Sequence, residues 1–347
     1  MEKLEYKMKI KNSPPLVDLN RRKFATAACA LSAGGFLSSY TSMAQAQASN
    51  YPNKVVRIML GYAPGGSADV MARLIAEYLS NSMKQTFIVE NRPGASGNIA
   101  VQLVARAPAD GYTLLFGNPA EMVINKIIMK DLAFDPDADF IPVVQVFNIP
   151  LGLVVPAKSP YKTLNELVED ARRNPKKLTF ASAGAGSPGH LAGEALALKG
   201  RAPMTHVPYK GAAPALIDLI GGHVDCYFPG LTAVAQHIKS GAVRLLALSS
   251  ANRSNLFPDT PTVAELLLPG FDFTLWGGLF AATKTPPDIV KALNFEANQA
   301  YLRPDFQARS TREQSDVIRN TPEQFSAYIK SQSEKYSQII KDIGYVA

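Results

Sequence analysis

Short β-branched or apolar runs alternate along this chain with stretches of helical periodicity, and glycine-rich segments sit where a run hands over to a helix. Strands are predicted over residues 55–60, 86–90, 113–117, 141–147, 151–155, 177–181, 204–208, 225–228 and 245–249. Helices are predicted over 68–83, 97–105, 163–174, 188–199, 213–221 and 322–343. The helix over 68–83 places Val70, Leu74, Ile75 and Leu79 on one face. Thr163 with Glu166 three places on makes a capping box, and Thr321 caps a helix that has Pro322 at its first position. This alternation predicts an α/β fold. In such folds ligands bind beyond the carboxyl ends of strands, near topological switch points. The length of 347 residues, 47% of them apolar, suggests two domains of roughly 100–200 residues each.

The first fifty residues have a different character. Arg21-Arg22-Lys23-Phe24 precedes a mildly apolar stretch over 25–37, then a small-residue site at Ala44-Gln45-Ala46-Gln47-Ala48. A charged start, a short apolar middle and an Ala-x-Ala end make an export signal. The paired arginines resemble the twin-arginine type. Cleavage is expected after Ala46 or Ala48. The alternative is a disordered or tag-derived N-terminus. Lipidation at Cys29 is disfavoured, because Thr26-Ala27-Ala28 lacks a bulky residue three places before it. Without residues 1–48, Cys226 is the only cysteine, so no internal disulfide forms, and a small buried apolar role is expected. The chain carries a net charge of +7, but residues 1–48 hold seven basic and three acidic residues, so the remainder carries +3. That balance, with no basic stripe and interleaved aromatics, argues against a nucleic-acid binder. No later segment reads as a membrane helix.

Two loops can carry chemistry. Pro64-Gly65-Gly66-Ser67 joins the first strand to the first helix. Glycines let backbone N–H groups approach a ligand closely, and a helix N-terminus adds roughly half a positive charge. Together they favour a carboxylate or phosphate. The other reading is a tight turn with Ser67 as a cap, and Asp69 reads as a partner of the helix dipole. The second loop runs from Ala181 to His190 and contains a literal Gly-x-Gly-x-x-Gly. The acid that a dinucleotide fingerprint needs after the next strand is missing from 205–210, so a small-anion loop with Ser182 and Ser187 as donors is favoured. Gly94-Ala95-Ser96-Gly97 stops short of a nucleophile elbow because Asn98 takes the last place. The four histidines are scattered without zinc-ligand spacing, so neither a metal nor a cofactor is expected.

An ordered set of short motifs carries a resemblance. Tyr51-Pro52-Asn53-Lys54, Pro64-Gly65-Gly66-Ser67-Ala68-Asp69, Glu90-Asn91-Arg92-Pro93-Gly94-Ala95 and Asp110-Gly111-Tyr112-Thr113-Leu114 come first. His190-Leu191-Ala192-Gly193-Glu194, Val207-Pro208-Tyr209-Lys210-Gly211, Pro261-Thr262-Val263-Ala264-Glu265 and Thr321-Pro322-Glu323-Gln324-Phe325 follow. In this order, over about residues 51–345, they resemble the Bug family of tripartite tricarboxylate transporter substrate-binding proteins. The resemblance implies a periplasmic binding protein-like (type II) fold, with two α/β domains and a ligand cleft between them. The expected division is 49–150 plus 277–347 for one domain and 151–276 for the other, with crossovers near Pro150 and Trp276. It also implies ligand contacts from Tyr62, Ala63, Pro64, Gly65, Gly66 and Ser67 of the first loop. From the second come Ser182, Ala183, Gly184, Ser187 and His190, and elsewhere Asn118, Tyr209 and Pro229. Neither loop contains Arg or Lys, so backbone groups and helix ends must supply the positive potential.

Two positions depart from the family pattern. Asn118-Pro119-Ala120 replaces small hydroxyl residues after Gly117, and Pro229-Gly230 stands where Asp or Asn is common. Fewer side-chain donors there imply a ligand with a less polar far end. The function expected from the resemblance is a monomeric periplasmic receptor, not an enzyme. It would bind a small carboxylate and deliver it to membrane transporter subunits. The competing readings are a ligand sensor for a membrane signalling partner and an enzyme using the same cleft.

Overall fold

Two five-stranded sheets organise the chain. The computed structural model describes residues 51–345 apart from 256, 314 and 316–318. The expected export signal over 1–48, its cleavage sites and Cys29 lie outside the described residues. The first sheet opens with β1 (Val56–Leu60), α1 (Ser67–Met83), β2 (Phe87–Asn91), α2 (Asn98–Ala105) and β3 (Thr113–Gly117). A wide turn over Ala120–Ile124 leads on toward β4 (Phe140–Pro150), and Leu151 alone separates β4 from β5 (Gly152–Pro156) in the second sheet. That sheet continues through α3 (Leu164–Arg173), β6 (Thr179–Ser182), α4 (Pro188–Lys199), β7 (Thr205–Pro208), α5 (Ala212–Gly221), β8 (Cys226–Tyr227), α6 (Leu231–Lys239) and β9 (Val243–Leu248). The chain then returns to the first sheet as β10 (Thr274–Ala282) and ends in α7 (Pro287–Ala300), α8 (Pro304–Arg312) and α9 (Pro322–Ile343).

The strand orders are β2-β1-β3-β10-β4 and β7-β6-β8-β5-β9. In each sheet the first three strands are parallel and the fourth runs antiparallel to both its neighbours. In both cases that fourth strand has crossed from the other sheet. The β1-α1-β2 and β6-α4-β7 units thus aim their strand-to-helix loops from equivalent ends of the two sheets.

β1 forms because Val56, Ile58, Met59 and Leu60 are all buried, as a parallel strand covered on both faces requires. α1 buries Leu74, Ile75 and Leu79 together with Met71 and Ala72. The capping boxes of α3, at Thr163 and Glu166, and of α9, at Thr321 and Gln324, are both made. One apolar core runs through both sheets, from Met59 and Leu115 to Leu153 and Phe180. α9 adds Phe325, Tyr336 and Ile340 to it and packs on β4 of one sheet and α4 of the other. A second core around Leu216, Tyr227 and Val234 lies within the second sheet's lobe. Cys226 is buried as a free thiol, and burial pushes it up.

β10, α7 and α8 have no counterpart in the sequence reading. β10 contains Gly277-Gly278, which blunts its strand signal. A Cβ at Gly277 would come within 2.3 Å of the Phe147 ring, so tight packing against β4 demands glycine there. Pro150 ends β4, beside the first passage between the sheets, while Trp276 lies inside β10, which already pairs Thr274 with Pro150.

Candidate functional site

The Pro64–Ser67 loop is held in shape by the first turn of α1. Gly65 adopts a φ of +89°, a conformation that favours glycine. Its N–H donates to Asp69 Oδ2 at 3.1 Å, and Arg73 and Asn91 donate to the same carboxylate. Burial pushes the Asp69 carboxyl up, but hydrogen bonds from Arg73, Asn91 and the Gly65 N–H outweigh it and hold the group below the usual carboxylate range. Asn91 also donates to the Tyr62 carbonyl, which fixes the loop's entry.

The second loop is braced from behind by histidines. His190 Nδ1 accepts from the Gly186 N–H at 3.0 Å, and Ser182 Oγ lies 2.7 Å from His206 Nε2. The two imidazoles pack 4.0 Å apart, and burial, with His190 adding, lowers the pKa of His206 to about 3. Ser187 caps α4 by accepting from the His190 N–H.

The two loops meet across a cavity of about 60 Å³. That is several times the roughly 10–15 Å³ needed to hold a water. Four helices begin at its wall: α1 at Gly66 and Ser67, α4 at Ser187 and Pro188, α5 at Ala212, and α6 at Gly230. The first N–H groups of a helix have no carbonyl partner within it, and each N-terminus adds about half a positive charge. No lysine, arginine or histidine is among the described lining residues. The remaining wall is largely apolar, with Leu151, Tyr227, Phe228 and Leu275. The lobes already touch around the cavity. The Ala63 N–H donates to the Lys210 carbonyl at 3.1 Å, the Ala233 N–H to Ser67 Oγ at 3.2 Å, and Ser96 Oγ to the Ala185 carbonyl at 2.6 Å.

A carboxyl that sequence reasoning missed stands behind this wall. Glu121 is fully buried in the turn that follows β3. Tyr62 Oη donates to its Oε2 at 2.7 Å, and the Asn118 N–H to its Oε1 at 3.0 Å. Burial pushes this carboxyl up to about 7 against the pull of those hydrogen bonds. The same burial, with the nearby Glu121 charge, raises the Tyr62 hydroxyl.

Of the residues expected to contact ligand, the structure brings Tyr62, Ala63, Gly66, Ser67, Asn118, Ala183 and Ser187 to the cavity wall. Pro64 and Gly65 form the exposed outside of the first loop. Ser182, Gly184 and His190 shape the second loop, the Tyr209 hydroxyl donates to Asp218 at 2.7 Å, and the Pro229 carbonyl accepts from the Gly152 N–H at 3.0 Å. The apolar wall residues carried no motif, and Glu121 meets Tyr62 only across 59 positions of sequence. Among the described residues no cluster of His, Cys, Asp and Glu could hold a metal, and no helix is long and apolar enough to cross a membrane.

Comparison with known proteins gives this architecture relatives. The model of the tripartite tricarboxylate transporter family receptor matches residues 71–345. Protein BugT of Bordetella pertussis (strain Tohama I) is 33% identical over 312 residues, covering 90% of this chain and 96% of its own. The solved structure of R. palustris Rpa4515 with adipate superposes with a TM-score of 0.83 at 31% identity, covering 85% of this chain and 98% of that one. The periplasmic binding protein BugD superposes with a TM-score of 0.80 at 32% identity, covering 85% and 99%. With two matching sheets and a cleft between facing helix N-termini, the chain belongs to the tripartite tricarboxylate transporter receptor family, as a Bug-type member with the periplasmic binding-protein fold.

Proposed function

We propose that this chain is an exported receptor that binds a small carboxylate between its two lobes and delivers it to membrane transporter subunits. The observation that carries this reading is the convergence of four helix N-termini on a cavity whose described wall holds no basic side chain. Such a wall stabilises an anion through backbone N–H groups. The Ser182–His206 pair lies outside the cavity's lining residues, which favours carriage over turnover. The adipate in the Rpa4515 structure is a ligand of the same class. The export-signal pattern before residue 49 supports a periplasmic location. The lobes act as two domains that a ligand touching both holds together, which shifts the population toward closure.

A thermal-shift screen of small carboxylates tests the reading, because a ligand that binds the native state raises its melting temperature. At least one carboxylate is expected to do so and to be recovered unchanged by mass spectrometry. Gly230→Ala provides a site-directed check. The added Cβ would lie 2.6 Å from Ser67 Oγ and 3.2 Å from Leu275 Cδ2, so two side chains of the cavity wall must shift. Affinity is expected to fall about tenfold or more, in line with an overpacking cost of about 1–3 kcal/mol. A retained nucleotide, consumption of the ligand, or unchanged affinity in Gly230→Ala would overturn this reading of the cleft.

A further inference from the structure

We propose that Glu121 sets the substrate class of the cleft: a monocarboxylate whose other end is uncharged, in preference to a dicarboxylate. The inference rests on the carboxylate-receptor reading above and narrows it.

Two acids stand at this cavity, and their surroundings differ. Asp69 is paired with Arg73 at 2.9 Å, so it brings no net charge. Glu121 is fully buried, and among the described residues no lysine or arginine pairs with it. Its hydrogen-bond partners, Tyr62 and Asn118, both line the cavity. The Asn118 side chain is itself buried, and its Oδ1 is turned to Gly277 of β10, where an added Cβ would lie 2.8 Å from it. The reverse amide orientation would set that oxygen 3.3 Å from Glu121 Oε1, so the amide N–H side is held toward the carboxylate. The donors of Tyr62 and Asn118 at this end of the cleft are thus spent on Glu121.

A ligand's first carboxylate is served by the helix N-termini. A second carboxylate directed toward Asn118 would find those donors already spent and, behind the wall, a negative charge in a region of low dielectric. An amide, a hydroxyl or another uncharged group would feel no such repulsion. Tyr62 is the titratable side chain in contact with Glu121, while Gly97 and Asn118 close around it uncharged. Lys126, Asp137 and Lys330, on elements packed around the same turn, line a separate surface cavity with Met122 and Val123. The discrimination therefore follows the charge state of Glu121: protonation removes the repulsion.

Matched pairs of equal shape test this. Calorimetry on the full chain compares succinate with succinamate, and adipate with adipamate, at about pH 8 and about pH 6. The half-amide is expected to bind at least about tenfold more tightly than its diacid at the higher pH, with the preference shrinking at the lower. Glu121→Gln is expected to bring the ratio within about twofold at both. A diacid that binds as tightly as its half-amide at the higher pH overturns the proposal and leaves the receptor reading standing. So does a ratio unchanged in Glu121→Gln. If that variant fails to fold, the pH series on the unaltered chain decides alone. Binding of neither pair, with no carboxylate emerging from the thermal screen, overturns both.

Discussion

Asp69 and Glu121 show how two carboxylates near one cavity titrate in opposite directions. Asp69 is surrounded by donors, one of them the guanidinium of Arg73, and is held ionised. Glu121 receives donors too, yet full burial dominates and lifts it to about 7. A carboxyl raised in the fold favours the protonated protein. Its contribution to stability is therefore fully present below the usual carboxylate range, is lost progressively as pH rises from about 4.5 to about 7, and changes little above that. At 1.36 kcal/mol per pKa unit the loss is on the order of 3 kcal/mol. Urea denaturation across this range is expected to show that decline in the unaltered chain and a shallower one in Glu121→Gln. Parallel profiles would mean that Glu121 bears no buried charge.

At the scale of elements, α3 isolates the energetics of a single cap. Thr163 accepts from the Glu166 N–H, and the Glu166 carboxylate returns to the Thr163 N–H at 3.3 Å. Thr163→Ala is expected to destabilise the fold by about 1 kcal/mol, read as a lower denaturation midpoint with an unchanged slope. Ligand affinity is expected to stay the same, since α3 is remote from the cavity wall. Elements with such local signals were legible: the sequence reading placed α4 and α9 at the bounds the structure shows, and Thr321 announced the start of α9. The two glycine loops were legible as strand-to-helix turns for the same reason, as glycine and helix-start chemistry is written locally. β10 was not, because its centre is a glycine pair whose purpose is contact with Phe147 from another strand. Nor was Glu121, an acid with no neighbouring signal until the fold brings Tyr62 over it. Leu151, Tyr227, Phe228 and Leu275 read as ordinary strand or core residues, and only tertiary placement makes them a wall.

In the whole molecule the lobes are joined by more than the two passages of chain between them. α9 lies on β4 and α4 together, Lys199 pairs with Asp342 at 3.0 Å, and Tyr345 meets the His190 ring edge-on. The insertion of β10 between β3 and β4 also dictates an order in time. Everything the second sheet requires lies within one continuous stretch of chain, whereas the middle of the first sheet must wait for a strand made after that stretch is complete. As the polypeptide emerges, β3 and β4 are expected to lie without the partner between them while the later lobe closes on itself. Loop-closure entropy makes such distant pairings slow. Trp276, the chain's only tryptophan, sits on β10 under Phe325 and Tyr328 of α9 and so reports the final event. During refolding from denaturant, pulse-labelled amides of β5, β6 and β9 are expected to gain protection before Trp276 fluorescence becomes native. Simultaneous or reversed timing would contradict this order. The lobe that begins the chain is, by its topology, the one that finishes last.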